Sequence, residues 1–272
     1  MTEFLTETAY AKINVALHVR ARRPDGYHDL ETLFAFAEHG DTVRGKLADD
    51  ISLTISGPLA GSLGVDADNL ALRAAQALKV ATGIDRGISL HLEKYLPVAA
   101  GLGGGSADAA ATLRLVARLW DIDPEAPEIM QVAQSLGADV PACIRSETCF
   151  GQGRGDTLIA FEDPSLSGMP LLLANPGIAL ATGPVFAGWD TRDRGALAPE
   201  NWRGGRNDLT TSAIAIVPEI ARLLSLLEAQ SGANFVRMSG SGASCFALFD
   251  SLEARDAAAA NIPFWHMKSS IR

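Results

Sequence analysis

The sequence predicts an α+β protein of two domains. Its 272 residues fit one large domain or two ordinary domains packed together. Strand-like and helix-like segments alternate along the first half, and the texture changes after about residue 150, where the glycine-rich stretch FGQGRGD begins. These observations predict an N-terminal domain over residues 1–155 and a C-terminal domain over residues 156–272, with the boundary region at 150–165.

The elements of the first domain follow from hydrophobic periodicity. Apolar residues alternate in KINVALHV, ISLTISG and GISLHLEK, which predicts strands over 12–19, 51–57 and 87–94. Apolar residues at helical spacing predict a helix over 69–83, with Asn69 as its cap and Gly83 as its stop. Two further helices are predicted, one from about residue 106 to about 120 and one ending near Gly137. Pro-Asp-Gly at 24–26 predicts a turn after the first strand.

The second domain mixes strands and helices in the same way. MPLLLANPG predicts a buried strand that ends in a turn, and VPEIARLLSLLEAQSG predicts an amphipathic helix over 217–232. NFVRMSGSGASCFALFD predicts two strands joined by a tight glycine turn, and EARDAAAANI predicts a short helix. No internal repeat is visible, so the pattern indicates an α+β fold rather than a repeat architecture.

Composition and charge narrow the class of protein. Apolar residues make up 47% of the chain and charged residues 20%, which fits a folded chain with a sizeable core. The net charge of −9 argues against a nucleic-acid backbone or an anionic membrane as the main partner, although a local site for a small phosphorylated ligand stays open. The chain has three cysteines and no CxxC pair, which predicts reduced thiols and no zinc site. It shows no basic n-region of a secretory signal and no apolar run long enough to span a bilayer, so we expect a cytoplasmic protein.

The most distinctive stretch is PVAAGLGGGSADAAATLRLV, which begins at Pro97 and places four glycines between Gly101 and Gly105. Glycine lets the backbone approach a ligand closely, and a helix N-terminus presents free amides and the positive end of the helix dipole. Together they predict an anion site, most often for phosphate. A Walker A loop and a dinucleotide fingerprint both fit poorly, because Gly105 is followed by Ser106-Ala107 and about 100 residues precede the loop. The competing interpretation is a flexible loop with a helix cap.

The loop resembles the phosphate-binding motif of the GHMP kinases, P-x-x-x-G-L-G-S/G-S-S/A. Two further blocks, AYAKINVALHVRARRPDGYHDLETLF and RMSGSGASCFALF, are similar to the same family, as is LGADVP. The resemblance runs from about Ala9 to Phe249, with the blocks in the family's order. It implies a two-domain GHMP kinase fold with an N-terminal ribosomal-protein-S5-like α/β domain and a C-terminal ferredoxin-like α+β domain.

The resemblance assigns ATP to the glycine loop. The implied ATP-binding residues are Pro97, Val98, Ala99, Ala100, Gly101, Leu102, Gly103, Gly104, Gly105, Ser106 and Ala107. ATP would be accompanied by Mg²⁺, for which the sequence shows no cluster of metal ligands.

The resemblance also implies two catalytic residues. Lys12 would lie near the γ-phosphate and the acceptor hydroxyl, where a cation offsets the charge that develops in transfer; the alternative is a strand-edge lysine that reaches water. Asp139 would receive or orient the proton of the acceptor hydroxyl; from the residues alone, a turn aspartate that bonds its own backbone is favoured. Asn14 lies two residues after Lys12, on the same strand face, and is assigned to substrate binding.

The segment RRPDGYHDL most resembles the corresponding segment of the GHMP kinases that act on a cytidine-linked alcohol. By this resemblance Tyr27 would stack on the cytosine and His28 would hydrogen-bond it. Phe186, in the segment that starts at Thr182, would close the other side, and both are assigned to substrate binding. The alternative is that Tyr27 and His28 are ordinary residues beside a turn.

Two polar segments near these motifs have simpler interpretations. Asp108 is interpreted as an acid at a helix start that complements the helix dipole. The alternative is a carboxylate that helps to hold hydrated Mg²⁺ near the phosphates. SGSG at 239–242 is either a hairpin turn or, by resemblance, the third family motif, which approaches the phosphate loop.

These observations lead us to expect an ATP-dependent small-molecule kinase that phosphorylates a cytidine-linked alcohol. The alternatives are another GHMP kinase of the mevalonate or homoserine type, and a nucleotide-binding sensor without catalysis. The presence of both Lys12 and Asp139 argues against the sensor. The sequence leaves the oligomeric state open.

Overall fold

A computed structural model describes residues 4–62 and 68–272. The described residues pack into two compact units. Unit 1 contains those of Met1–Ala11, His39–Val98 and Gly103–Ser146, and unit 2 contains Lys12–Glu38, Ala99–Leu102 and Glu147–Arg272. These units do not test the predicted domain boundary after residue 155, which stays a prediction.

Strands and helices follow one another along the whole described chain. The strands are β1 (Leu5–Arg22), β2 (His28–Ala48), β3 (Ile51–Ser56), β4 (Gly87–Glu93), β5 (Cys149–Gln152), β6 (Thr157–Ala160), β7 (Pro170–Asn175), β8 (Ala233–Met238), β9 (Cys245–Phe249) and β10 (Trp265–Ser270). The helices are α1 (Leu70–Thr82), α2 (Gly104–Leu119), α3 (Pro127–Leu136), α4 (Val140–Arg145), α5 (Thr182–Ala187), α6 (Thr210–Ile216), α7 (Glu219–Glu228) and α8 (Leu252–Ala259). Short 3₁₀ turns lie at Ala60–Ser62 and Pro199–Gly204.

Unit 1 packs helices α1 to α4 together beside a small sheet. In that sheet β4 pairs antiparallel with the second half of β2 and parallel with β3. Helix α1 begins where the Asn69 side chain accepts a hydrogen bond from Ala71 N at 2.9 Å, and it ends at Gly83 with φ +67°. The predicted helix over 69–83 and both of its end signals are therefore confirmed.

Unit 2 contains the first half of β2, which pairs with β5, and a second sheet in the order β10-β7-β9-β8. The pairs of this second sheet are all antiparallel. Helix α7 turns Ile220, Leu223 and Leu227 toward the core of the unit, as its amphipathic pattern predicts. Met238 at the end of β8 and Cys245 at the start of β9 belong to this core, so the core holds both sides of the turn that contains the SGSG segment.

The strands and helices predicted from periodicity are all present, so the α+β class is confirmed. The structure adds elements that the sequence did not reveal, among them the long β2, the edge strand β10 and helices α4 to α6. Helix α2 begins at Gly104, about two residues earlier than the expected start at Ser106. Within residues 4–62 and 68–272, no helix combines the length and apolar character needed to cross a bilayer.

Candidate active site

The glycine loop leads from the end of β4 into α2 through several left-handed residues. Gly101 and Gly103 have φ of +75° and +64°, and Ala99 also has a positive φ of +51°. Glycine adopts such conformations without the steric cost of a Cβ. At Gly101 a Cβ would also come within 2.3 Å of the Ser239 carbonyl oxygen. The two glycines therefore set the path of the loop.

The carbonyl groups at the centre of this loop are engaged by protein donors. Each carbonyl oxygen from Ala99 to Leu102 accepts a hydrogen bond within unit 2. The donors, in order, are Leu180 N (3.3 Å), Ser244 N (3.0 Å), Ser239 Oγ (2.7 Å) and Lys12 N (2.9 Å). Ser239 and Ser244 belong to the β8–β9 turn, so the SGSG segment holds the loop rather than forming a hairpin turn alone.

The start of α2 fits a phosphate group. Its cap residue is Gly103, which has no side chain to bond the amides of the first turn, and the first helical bond runs from Ala107 N to Gly103 O at 2.8 Å. The preceding amides therefore lack a helical acceptor and point where the helix dipole favours an anion. Among the described residues, no group of three or more acidic, histidine or cysteine side chains is placed to hold a metal ion.

Lys12 is buried inside unit 2 and not at a solvated strand edge. It is 4% exposed, and its Nζ donates to Asn14 Oδ1 at 2.9 Å and lies 5.1 Å from the centre of the Phe34 ring. Asn14 Nδ2 in turn donates to Thr32 Oγ1 at 2.8 Å, and Asn14 N donates to Ser239 Oγ at 3.1 Å. The alternative of a lysine that reaches water is therefore wrong, and Asn14 orients the ammonium group.

Asp139 lies at the cap position of α4 in unit 1 and is partly exposed. Its carbonyl oxygen accepts from Cys143 N at 3.1 Å, but its carboxylate makes no capping hydrogen bond to the helix. Pro141 occupies the first turn and removes one of the amides that a cap would bond. The carboxylate therefore does not cap α4, and the choice between a turn aspartate and a catalytic one stays a prediction.

A buried ion cluster beneath the glycine loop is not visible in the sequence. Lys94 Nζ donates to Asp108 Oδ2 at 2.7 Å and to Asp41 Oδ2, and all three side chains are almost fully buried. Asp41 Oδ1 also accepts from Tyr95 N at 2.6 Å and Leu96 N at 2.9 Å, immediately before the loop. The interpretation of Asp108 as a helix-start acid that complements the dipole is wrong, because the first turn of α2 contains no acidic residue and Asp108 instead ties α2 to Lys94 at the end of β4.

The electrostatics of this cluster are unbalanced, because two carboxylates share one ammonium group. Burial raises the pKa of Asp108 to about 7, and Lys94 only partly offsets this. Asp108 Oδ1 has no hydrogen-bond partner among the described residues, which agrees with a disfavoured charge. Burial alone would lower the pKa of Lys94, but Asp108 and Asp41 outweigh it and the pKa is raised.

We expect Asp108→Asn to remove a pH dependence of stability. Because the folded pKa of Asp108 lies above its ordinary value, the protonated form is favoured in the fold. The stability that the Asp108 carboxyl group contributes is fully present below about pH 4 and is lost as the pH rises through about 7. The free energy of unfolding of the wild type should therefore fall, relative to the variant, by about 1 kcal/mol or more between about pH 5 and about pH 8. Urea unfolding of both proteins at both pH values measures this difference in the free energy of unfolding. An equal change with pH in the wild type and in Asp108→Asn would contradict the prediction.

The residues expected to bind a cytosine lie in unit 2. His28, at the start of β2, is 8% exposed, with its ring centre 5.0 Å from Phe186 and 5.7 Å from Trp189. Tyr27 precedes it and is 55% exposed. Thr182 begins α5, and its Oγ1 lies 3.1 Å from Ser241 Oγ. The structure thus brings the rings of His28 and Phe186 together, and Tyr27, the residue before His28, carries an exposed ring.

The histidine of this group is suited to neutral hydrogen bonding. Burial, together with the charge of Arg22, lowers the pKa of His28. The ring is therefore neutral near neutral pH, with one nitrogen as donor and the other as acceptor. Trp189, which closes the group, was not expected from the sequence; its spacing of three residues from Phe186 is the signal that could have revealed it.

Comparison with known proteins places the chain in a family. The GHMP kinases N terminal domain matches residues 69–147, and the GHMP kinases C terminal domain matches residues 190–265. A protein of Rhizorhabdus wittichii named 4-diphosphocytidyl-2-C-methyl-D-erythritol kinase is 52% identical over 98% of this chain and 94% of its own length. The chain belongs to the GHMP kinase family.

Solved structures agree with this placement. A crystal structure of 4-(cytidine 5'-diphospho)-2C-methyl-D-erythritol kinase matches with a TM-score of 0.82 at 31% identity, over 98% of this chain and 99% of that chain. A homoserine kinase from Cytophaga hutchinsonii shares the fold, with a TM-score of 0.72 at 20% identity, over 100% and 96% of the two chains. The expected family, its two-domain α+β fold and the class of enzyme, a kinase, are confirmed. The roles of individual site residues stay predictions.

Proposed function

We propose that this chain transfers the γ-phosphoryl group of ATP to the 2-hydroxyl of 4-diphosphocytidyl-2-C-methyl-D-erythritol, a step of non-mevalonate isoprenoid precursor biosynthesis. The similarity to kinases named for this substrate, over nearly the full chain, supports the reaction. The observation that carries the choice of acceptor is the aromatic group of His28, Phe186 and Trp189, with Tyr27 exposed beside it. Such a group offers flat faces and a polar edge, which a cytosine ring requires.

The residues of the chain supply positioning and charge, which are the main requirements of phosphoryl transfer. The Lys12 ammonium group is oriented by Asn14, which is itself held by Thr32. We assign it to the stabilisation of charge that develops on the transferred group. The Asp139 carboxylate does not cap α4. We assign to it the role of receiving or orienting the proton of the acceptor hydroxyl.

ATP supplies the phosphoryl group when it is bound. We assign its phosphates to the loop from Pro97 to Ala107, where the amides at the start of α2 lack helical acceptors. Magnesium usually reaches such sites through substrate phosphates and a few ligands with several waters, so no dedicated protein cage is required. Cytoplasmic location and the absence of nucleic-acid or membrane partners stay predictions.

Another GHMP kinase reaction is the second candidate, because the homoserine kinase fold is so similar. The family's glycine loop is shared by many GHMP kinases, so the loop does not select the acceptor. The aromatic group of unit 2 favours the cytidyl alcohol over mevalonate or homoserine, which carry no ring to stack. The presence of both Asp139 and a buried Lys12 that is oriented by Asn14 disfavours a sensor without catalysis.

Tyr27→Ala tests the choice of acceptor. Loss of one base–aromatic stack costs about 1–3 kcal/mol, so the KM for the cytidyl substrate should rise by roughly 10-fold or more. The KM for ATP should be nearly unchanged, because Tyr27 is assigned to the base of the acceptor and not to the phosphate loop from Pro97 to Ala107.

Steady-state kinetics with each substrate varied in turn measure both constants. Tyr27→Phe keeps the ring and serves as the control, with a KM close to that of the wild type. If ATP affinity fell instead, Tyr27 would belong to the adenine site. If neither constant moved, it would be an ordinary turn residue.

A further inference from the structure

The tip of the β5–β6 hairpin carries a charged residue that the proposed function leaves without a role. The segment Gly153-Arg154-Gly155 places Arg154 between two glycines with φ of +67° and +89°. Gly155 N donates to Gln152 O at 3.0 Å, which closes a tight turn. Left-handed residues on both sides set the direction in which the arginine leaves the turn.

This turn is attached to the segment that contains Tyr27. Leu30 N donates to Gly153 O at 2.7 Å, so the hairpin tip is bonded to β2. On the other side, Arg23 N donates to Tyr27 O at 2.8 Å, and Tyr27 N donates to Asp25 Oδ1 at 3.0 Å. The backbones on both sides of the contact are therefore fixed, whereas the Tyr27 ring itself is largely exposed.

The Arg154 guanidinium lies over that ring, with Cζ 5.1 Å from the ring centre. Its Nε and Nη2 donate to Asp156 Oδ2 at 2.9 and 2.7 Å, and Arg154 N approaches Asp156 Oδ1 at 3.2 Å. Asp156 thus holds the guanidinium in place by hydrogen bonds within the same turn. The position of the cation over the ring is thus set by hydrogen bonds within the protein.

We propose that Arg154 is a positioning residue for Tyr27. Its guanidinium covers one face of the tyrosine ring, and the other face is presented to the cytosine base. The inference rests on the proposed function. An exposed tyrosine samples several rotamers, and a cation fixed over one face reduces the entropy lost when a base stacks on it. Arg154 and Asp156 would then contribute to selection of the cytidyl substrate without touching it.

The test compares Arg154→Ala with a matched surface arginine. Arg194 is 40% exposed against 39% for Arg154, and it also pairs with an aspartate nearby in the chain, Asp190. We expect Arg154→Ala to raise the KM for the cytidyl substrate by about 2- to 5-fold, the size of an exposed cation–π contact. The kcat and the KM for ATP should be unchanged, Arg194→Ala should change nothing, and Arg154→Lys should recover part of the loss.

A double-mutant cycle shows whether the arginine acts through the ring. If Arg154 positions Tyr27, Arg154→Ala should have no further effect on the KM in a Tyr27→Ala background. An equal effect in both backgrounds would mean that Arg154 contacts the ligand itself, and this would overturn the proposal. A lower KM in Arg154→Ala would also overturn it, because the arginine would then cover the face that the base needs.

The failure of this inference can be separated from failure of the proposed function. Normal turnover of the cytidyl alcohol by the wild type, with an unchanged KM in Arg154→Ala, would refute the inference alone. A wild type that does not use the cytidyl alcohol would refute the proposed function and the inference with it. Thermal unfolding of each variant checks that the hairpin change leaves the fold intact.

Discussion

Asp139→Asn is expected to lower kcat by about 100-fold or more, as for other residues that handle a reacting proton. The substitution keeps the shape of the side chain and removes its charge. Asparagine is as good a helix cap as aspartate, and the Asp139 carboxylate makes no capping bond in any case, so α4 should be retained. The KM values for ATP and for the acceptor should change much less than kcat.

Asp123→Asn is the matched control for this experiment. Asp123 is an exposed turn aspartate whose Oδ1 accepts from Glu125 N at 2.9 Å, which is the role that the competing interpretation gives to Asp139. Steady-state kinetics should separate the two variants clearly. Turnover of Asp139→Asn within a few-fold of the wild type, as expected for the control, would remove Asp139 from the reaction.

Gly103→Val is expected to abolish ATP binding while the protein stays folded. The phosphate interpretation requires backbone amides at the start of α2 to come within hydrogen-bond distance of phosphate oxygens. Gly103 has φ +64° and ψ +19°, a conformation that a β-branched residue rarely adopts. The substitution should therefore either block that approach with its side chain or move the amides.

Gly83→Val separates the loss of binding from backbone strain. Gly83 ends α1 with φ +67° and ψ +12°, nearly the same conformation, and a Cβ there would meet nothing within 4 Å. Both variants should lose a similar stability, about 1–2 kcal/mol or somewhat more for a β-branched residue. In calorimetric titrations, only Gly103→Val should lose ATP binding. Equal ATP affinity in the two folded variants would contradict the phosphate-loop assignment.

Elements with a strong local pattern could be predicted from the sequence, and elements set by distant partners could not. Helix α1 carries its own cap, apolar stripe and glycine stop. By contrast, residues 32–37 of β2 are buried without interruption, so the alternation that reveals a strand is absent there. Strand β10 is short, and its pairing places Trp265 opposite Asn175, a partner far away in the chain.

The site shows the same division. The glycine loop could be recognised because the local backbone has positive φ at Gly101 and Gly103, a conformation that favours glycine and leaves a signal in the sequence itself. The link between Asp108, Lys94 and Asp41 joins three elements, and a single sequence does not show which charges meet. Asp108 therefore looked like an ordinary acid near a helix start, although it is buried against a lysine.

The most direct test of the proposed function measures which alcohol the purified protein phosphorylates. ADP release would be followed with ATP and Mg²⁺ and with 4-diphosphocytidyl-2-C-methyl-D-erythritol, mevalonate or homoserine as acceptor, and the phosphorus spectrum of the product would locate the new phosphate. We expect rapid ADP release with the cytidyl alcohol alone and a new phosphate ester on its 2-hydroxyl. Preferential use of mevalonate or homoserine, or no ADP release with any acceptor by a folded protein that binds ATP, would contradict the proposed function.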